Sequence, residues 1–193
     1  MNTRTLALIA LTLLALGPVP THAAPEVTAD GFLDLSWQAD TGKLWLAIDD
    51  LDTPLIYQAS LARGVGSNDI GLDRGQLGTT ALVSFQRVGP RVLMVEHNLR
   101  YRADSDDPFE RAAVDASFAR SVLWGFEVQD SDDGRLWVDA TDFALRDSHG
   151  LAAHLKQQGH GSFATDASRS AIFLPRTKAF VNNTEIEATV TFT

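Results

Sequence analysis

Four histidines, His97, His149, His154 and His160, lie beyond the first 23 residues of a chain with 25 acidic side chains. Imidazole and carboxylate are the usual material of zinc sites and of general-base catalysis. Their spacing assembles neither. No H-E-x-x-H occurs, and His149 and His154, five residues apart, would diverge by about 140° on an ideal helix. The spacing supports surface or half-buried imidazoles and no metal in this chain. Asp147, Ser148 and His149 are the three residue types of a hydrolytic triad, but neighbouring side chains project in different directions. A G-x-S-x-G elbow is absent, because Asp69 stands where Ser67 would need the second glycine, and Ser162 is followed by Phe163 and Ala164. Asp130, Asp132, Asp133 and Gly134 resemble the opening of a calcium loop. The twelfth position is Thr141 rather than a bidentate glutamate, and Asp-Gly equally marks a hairpin turn.

Residues 64–78, GVGSNDIGLDRGQLG, hold five of the 14 glycines. A dinucleotide fingerprint needs a third glycine where Asp69 stands, and a P-loop needs a lysine that is missing between Lys43 and Lys156. Asp69 and Asp73 would repel a phosphate at short range. The segment reads instead as a sharply bent loop in which Asn68 and Asp69 close Asx-type turns. Asp73 and Arg74 would fix it by charge-assisted hydrogen bonds. Asn68, Asp69, Asp73, Arg74 and Gln76 are its candidate docking or binding residues, and a connector between strands is the competing reading. Arginines at 100, 102, 169 and 176, with Lys178, suit either an anionic partner or the chain's own carboxylates.

The elements that must position these residues read mostly as strands. Alternation places Leu33, Leu35 and Trp37 on one face, and with Leu44, Leu46 and Ile48 predicts a hairpin over residues 33–48. A second hairpin is expected over 81–97 around Gly89-Pro90, and a third joins 122–128 to 136–139 through Gly134. Asp107-Pro108-Phe109-Glu110 predicts a capped helix with a capping box, and a second helix is expected at about 148–158, stopped by Gly159. Residues 184–193 alternate as a strand and end without a turn, which suggests an N-terminal piece of a longer protein. The expected class is α+β and β-rich, a mostly antiparallel sheet with about two helices.

Residues 1–23, with Arg4, an apolar run and small residues at Thr21-His22-Ala23, have the layout of a secretory signal peptide. One β-rich domain over 24–193 would remain, periplasmic or secreted, and truncated at its C-terminal end. With no cysteine in the sequence, that domain must rest on its own core. A formal net charge of −9 argues against nucleic acid and anionic lipid as partners.

Five segments are similar to the N-terminal domain, itself of unknown function, of secreted bacterial zinc-dependent metallopeptidases of metzincin type. They are GSNDIGLDRGQLG at 66–78, NLRYRA at 98–103, SFARSVLWGF at 117–126, VDATDFALRDSHG at 138–150 and DASRSAIFLPRTKAF at 166–180. The resemblance implies a downstream catalytic domain whose H-E-x-x-H motif binds zinc and activates water. None of that motif is present here, so no catalytic residue is assigned and zinc is expected only in the missing domain. The expectation is a noncatalytic module whose partners are that downstream domain and a peptide substrate. Its rivals are a stand-alone periplasmic peptide- or ligand-binding protein and a small hydrolase using His149 or His97.

Overall fold

The computed structural model describes residue 26 and residues 28–65, 70–132 and 134–193. The expected signal peptide lies outside them, as do Asn68, Asp69 and Asp133. Seven strands form one sheet: β1 (Leu35–Gln38), β2 (Lys43–Ile48), β3 (Leu55–Ser60), β4 (Leu77–Val88), β5 (Arg91–Glu96), β6 (Ser121–Asp132) and β7 (Arg135–Asp139). Their order is β1-β2-β7-β6-β5-β4-β3, and every neighbouring pair is antiparallel. The α+β, β-rich class is therefore what the chain adopts. All three expected hairpins form, and Gly42, Gly89 and Gly134 take positive φ at their turns.

The order forces the sheet to curl. β2 and β3 are second and last in the sheet, yet only residues 49–54 connect them. Five flat inter-strand steps of about 4.8 Å would require that linker to be fully stretched, at about 3.5 Å per residue. The linker instead turns at Asp52 (φ 61), whose N–H donates to the Phe85 carbonyl at 2.8 Å. Register shifts between Met94 and Val95 on β5 and between Val128 and Asp130 facing β7 supply the bending.

The concave face carries the core: Leu44, Leu46 and Ile48 from β2, Val83 and Phe85 from β4, Val92 and Met94 from β5, Phe126, Leu136 and Val138. Over it lies α2 (Thr141–Leu145), an element the pattern reading did not anticipate. Phe143 of α2 stands 5.1 Å from the Phe126 ring, 5.8 Å from Tyr57 and 5.9 Å from Trp124. α2 starts on a polar latch. Thr141 donates its N–H to Asp139 (3.0 Å) and its hydroxyl accepts the Leu44 N–H (2.9 Å), while Lys43 pairs with Asp139 at 3.0 Å. On the opposite face Trp45, Ala47 and Trp137 form a small second cluster. Asp34 is buried there because Arg135 reaches it at 2.8 Å and also forks onto Asp49.

α3 (Leu151–Gln157) starts three residues later than expected, because Gly150 takes a left-handed conformation, and it buries Leu151 and Leu155. The tail does not form the single expected strand. It breaks into β10 (Asn183–Glu185), paired with β9 (Lys178–Phe180), and β11 (Ala188–Thr189), paired with β8 (Ala171–Ile172). The break falls where Glu187 gives its carbonyl to Phe173 and takes the Thr177 hydroxyl with its N–H. Between β5 and β6 stands α1 (Pro108–Ser117), capped by Asp107 as expected, with 2.8 Å to the Phe109 N–H. The other half of the cap comes from the Ser105 hydroxyl, which accepts the Asp107 N–H, rather than from Glu110. Among the described residues no helix is long and apolar enough to cross a membrane.

Burial alone would raise the Asp139 carboxyl, but hydrogen bonds from Thr141 and the Lys43 ammonium outweigh it and hold the group below its ordinary 3.8. A carboxyl depressed by folding stabilises fully above its unfolded value, and that contribution is lost as pH falls through the folded one. Asp139→Asn should therefore flatten the acid limb of a urea-midpoint curve below about pH 5. An acid limb matching the parent's would show that the latch contributes nothing.

Candidate functional site

The glycine-rich segment is the second half of a loop whose two arms pair by backbone bonds. Leu61 donates to Gln76 (2.9 Å), Gly75 to Leu61 (2.7 Å) and Val65 to Leu72 (3.1 Å). Gly75, at φ 82, makes the bend that brings Gln76 back, and the Gln76 amide oxygen then accepts the Asp73 N–H at 3.1 Å. Of the candidate residues, Asp73, Arg74 and Gln76 are all exposed. Among the described residues Asp73 and Arg74 make no ion pair with each other, and water competes for such exposed partners. Gln76 and the backbone brace this part of the loop.

The loop is also pinned to the other half of the chain. His154 of α3 donates from Nε2 to the Ile70 carbonyl at 2.9 Å. The His149 ring packs on Gly78 so closely that a Cβ there would lie 3.1 Å from it. This explains the last glycine of the segment as room for an imidazole. Ser148 Oγ lies 3.2 Å from His149 Nδ1, while Nε2 is buried with no partner among the described residues. Asp147 does not complete a triad. Its two oxygens accept the Leu151 and Ala152 N–H groups (2.8 and 2.9 Å) and so cap α3.

Beside this contact Arg146 leaves α2 and turns over the Phe143 ring at 3.7 Å, with Tyr57 and Trp124 each 5.6 Å away. It donates to the Tyr57 hydroxyl at 2.8 Å and to the Phe143 carbonyl. Burial pushes its guanidinium below the ordinary value, and Tyr57 offsets part of that. Among the described residues it has no carboxylate partner, so the π faces hold the charge. In the sequence, an arginine that ends a five-residue helix has the appearance of an ordinary surface cation.

On the other face of β3 and β4 a groove of about 560 Å³ runs past Ile56, Leu82, His97, Leu99, Arg100 and Ala119. His97 is held there by its N–H to Leu82 (2.8 Å), with a buried Nε2 that has no partner among the described residues. Among those residues no three His, Asp or Glu side chains gather as a metal site. Two of the scattered cations pair with acids, Arg169 with Asp166 at 2.7 Å and Arg176 with Glu187 at 3.9 Å. Arg100 instead lies 5.4 Å over the Tyr101 ring.

The ring-packed Gly78, α2 with the rings of Trp124 and Phe126, and the C-terminal strand pairs fall inside residues 75–193, the part that matches the family model for a domain of unknown function, DUF5117. That is more than half of the chain. The chain belongs to the DUF5117 family. No curated protein and no solved structure matches it. In this DUF5117 chain Gly78, Arg146 and His149 lie within the matched part, whereas β3 and the candidate residues Asp73 and Arg74 precede it.

Gly78→Ala should cost roughly 1–3 kcal/mol, because the new methyl meets the His149 ring. In a His149→Ala background the same substitution should cost much less. Equal costs in both backgrounds, measured by urea denaturation, would mean that the imidazole does not set the requirement for glycine.

Proposed function

We propose that this DUF5117 chain is a noncatalytic N-terminal module of an exported zinc-dependent metallopeptidase of metzincin type. The H-E-x-x-H domain and its zinc would stand on polypeptide outside these residues. The module would dock that domain and border its peptide cleft. The observation that carries the reading is α1. It is a ten-residue helix with no buried residue, and Phe109 at its start is 82 % exposed. Isolated helices of that length are marginal in water, and most helices in proteins owe their stability to packing an apolar face. Leu99, Tyr101 and Val122 are also exposed in and around the same crossover. Apolar side chains gathered on a surface mark contact sites for other proteins. The resemblance of five sequence segments to such peptidases suggests the identity of the partner, and the exposed Asp73 and Arg74 supply a second docking edge. A stand-alone periplasmic protein that binds a peptide or small ligand is the competing reading, favoured by the groove beside Ile56 and His97.

The test starts from the reading frame past Thr193, which should encode the H-E-x-x-H motif; a frame without it overturns the reading. In the complete polypeptide Phe109→Asp should lower peptide turnover about tenfold while the melting temperature of the module holds, since Phe109 is 82 % exposed within it. Replacing Asp73 and Arg74 by alanine should act in the same direction. Peptide cleavage by the present chain alone would contradict a noncatalytic module.

A further inference from the structure

Independently of that reading, we infer that Arg146 and Tyr57 form a receiving site for a carboxylate, brought either by a free organic acid or by the end of a peptide. The described residues pair Lys43, Arg91, Arg135, Arg169 and Arg176 with carboxylates. Arg146 is half-buried and is given none by them, in a sequence where 25 acidic residues face 16 lysines and arginines. The rings of Phe143, Tyr57 and Trp124 offset part of the penalty of burying its charge, but a π face leaves the N–H groups at the guanidinium rim unbonded.

The unused donors lie side by side. Of the five N–H groups of a guanidinium, Arg146 commits one from each terminal nitrogen, to the Phe143 carbonyl and to the Tyr57 hydroxyl at 2.8 Å. Its Nε donates to no described residue. The enclosed nitrogens without partners among those residues are the Nε2 atoms of His97 and His149, so Nε of Arg146 is open to solvent. The Tyr57 oxygen accepts from Arg146, so its own hydrogen points elsewhere, and no described acceptor takes it. Neighbouring hydrogens that lack an acceptor receive an anion and repel a cation. A carboxylate presents two oxygens at the spacing of a guanidinium edge, which allows two parallel N–H bonds. Its single charge suits one arginine, whereas a chain of net charge −9 disfavours a phosphate dianion. The rings and the two hydrogen bonds already hold the guanidinium in place, which lowers the ordering penalty of binding.

Benzoate is the probe, because its ring suits aromatic surroundings and benzamide offers the same shape without the charge. In proton–nitrogen correlation spectra of the purified chain, the Nε–H resonance of Arg146 should shift saturably with benzoate and hold still with benzamide. By calorimetry Arg146→Lys should weaken benzoate binding roughly tenfold or more, since an ammonium has no fork. Tyr57→Phe keeps the ring against Phe143 and removes only the hydroxyl, and it should weaken binding about threefold to tenfold. Its urea midpoint should stay close to the parent's, so the test stands even where Arg146→Lys loosens the fold. A peptide with a free C-terminal carboxylate, set against its C-terminal amide, distinguishes the two sources. Tighter binding of the free peptide end than of benzoate supports a peptide terminus as the occupant, and the reverse order supports a free acid. The inference is overturned if benzoate and benzamide act alike, if Tyr57→Phe leaves binding unchanged, or if inorganic phosphate binds more tightly than either carboxylate.

Discussion

Everything on the concave side of the sheet depends on Phe143. Its ring touches β3 through Tyr57 and β6 through Trp124 and Phe126, and it is roofed by the guanidinium of Arg146. These strands are not neighbours, so one side chain ties the free edge of the sheet to its centre. Without it, α2 would keep only its polar latch at Asp139 and Thr141 and the packing of Ala144 and Leu145, and Arg146 would lose the nearest of the π faces that compensate its burial. The curl brings Tyr57 and Phe126 within reach of one ring, and the ring in turn holds the curl.

The parts legible in the sequence were those governed by local rules. Alternation and turn glycines mark the three hairpins, and Asp107-Pro108 marks α1, because a strand's period of two and a helix cap are properties of a few adjacent residues. β3 was not anticipated. LIYQAS has a weak alternation and its pairing partners lie between 17 (Ser60↔Leu77) and 28 (Leu55↔Val83) residues away. α2 escaped because five residues with no side-chain cap carry too little pattern. The tail misled in the opposite way: its alternation is regular, but the demands of Phe173 and Thr177 on Glu187 divide it between two small sheets.

The candidate loop shows the same boundary between local and distant causes. Its glycines announced sharp bending, and Gly75 bends. That Gly78 is there to admit His149 could not be read from spacing, since seventy residues separate them. Asp73 and Arg74 are exposed, and among the described residues the Gln76 amide oxygen braces the turn by accepting the Asp73 N–H. The docking proposal rests on that exposure.

The crossover from β5 to β6 adds a consequence for how such a domain can diversify. The sheet and its α2 cover are closed without α1, which contributes nothing to the interior. The residues of α1 can therefore drift in length and character without endangering the body that displays them. Selection on what this excursion touches and selection on whether the chain folds would act on separate sets of positions.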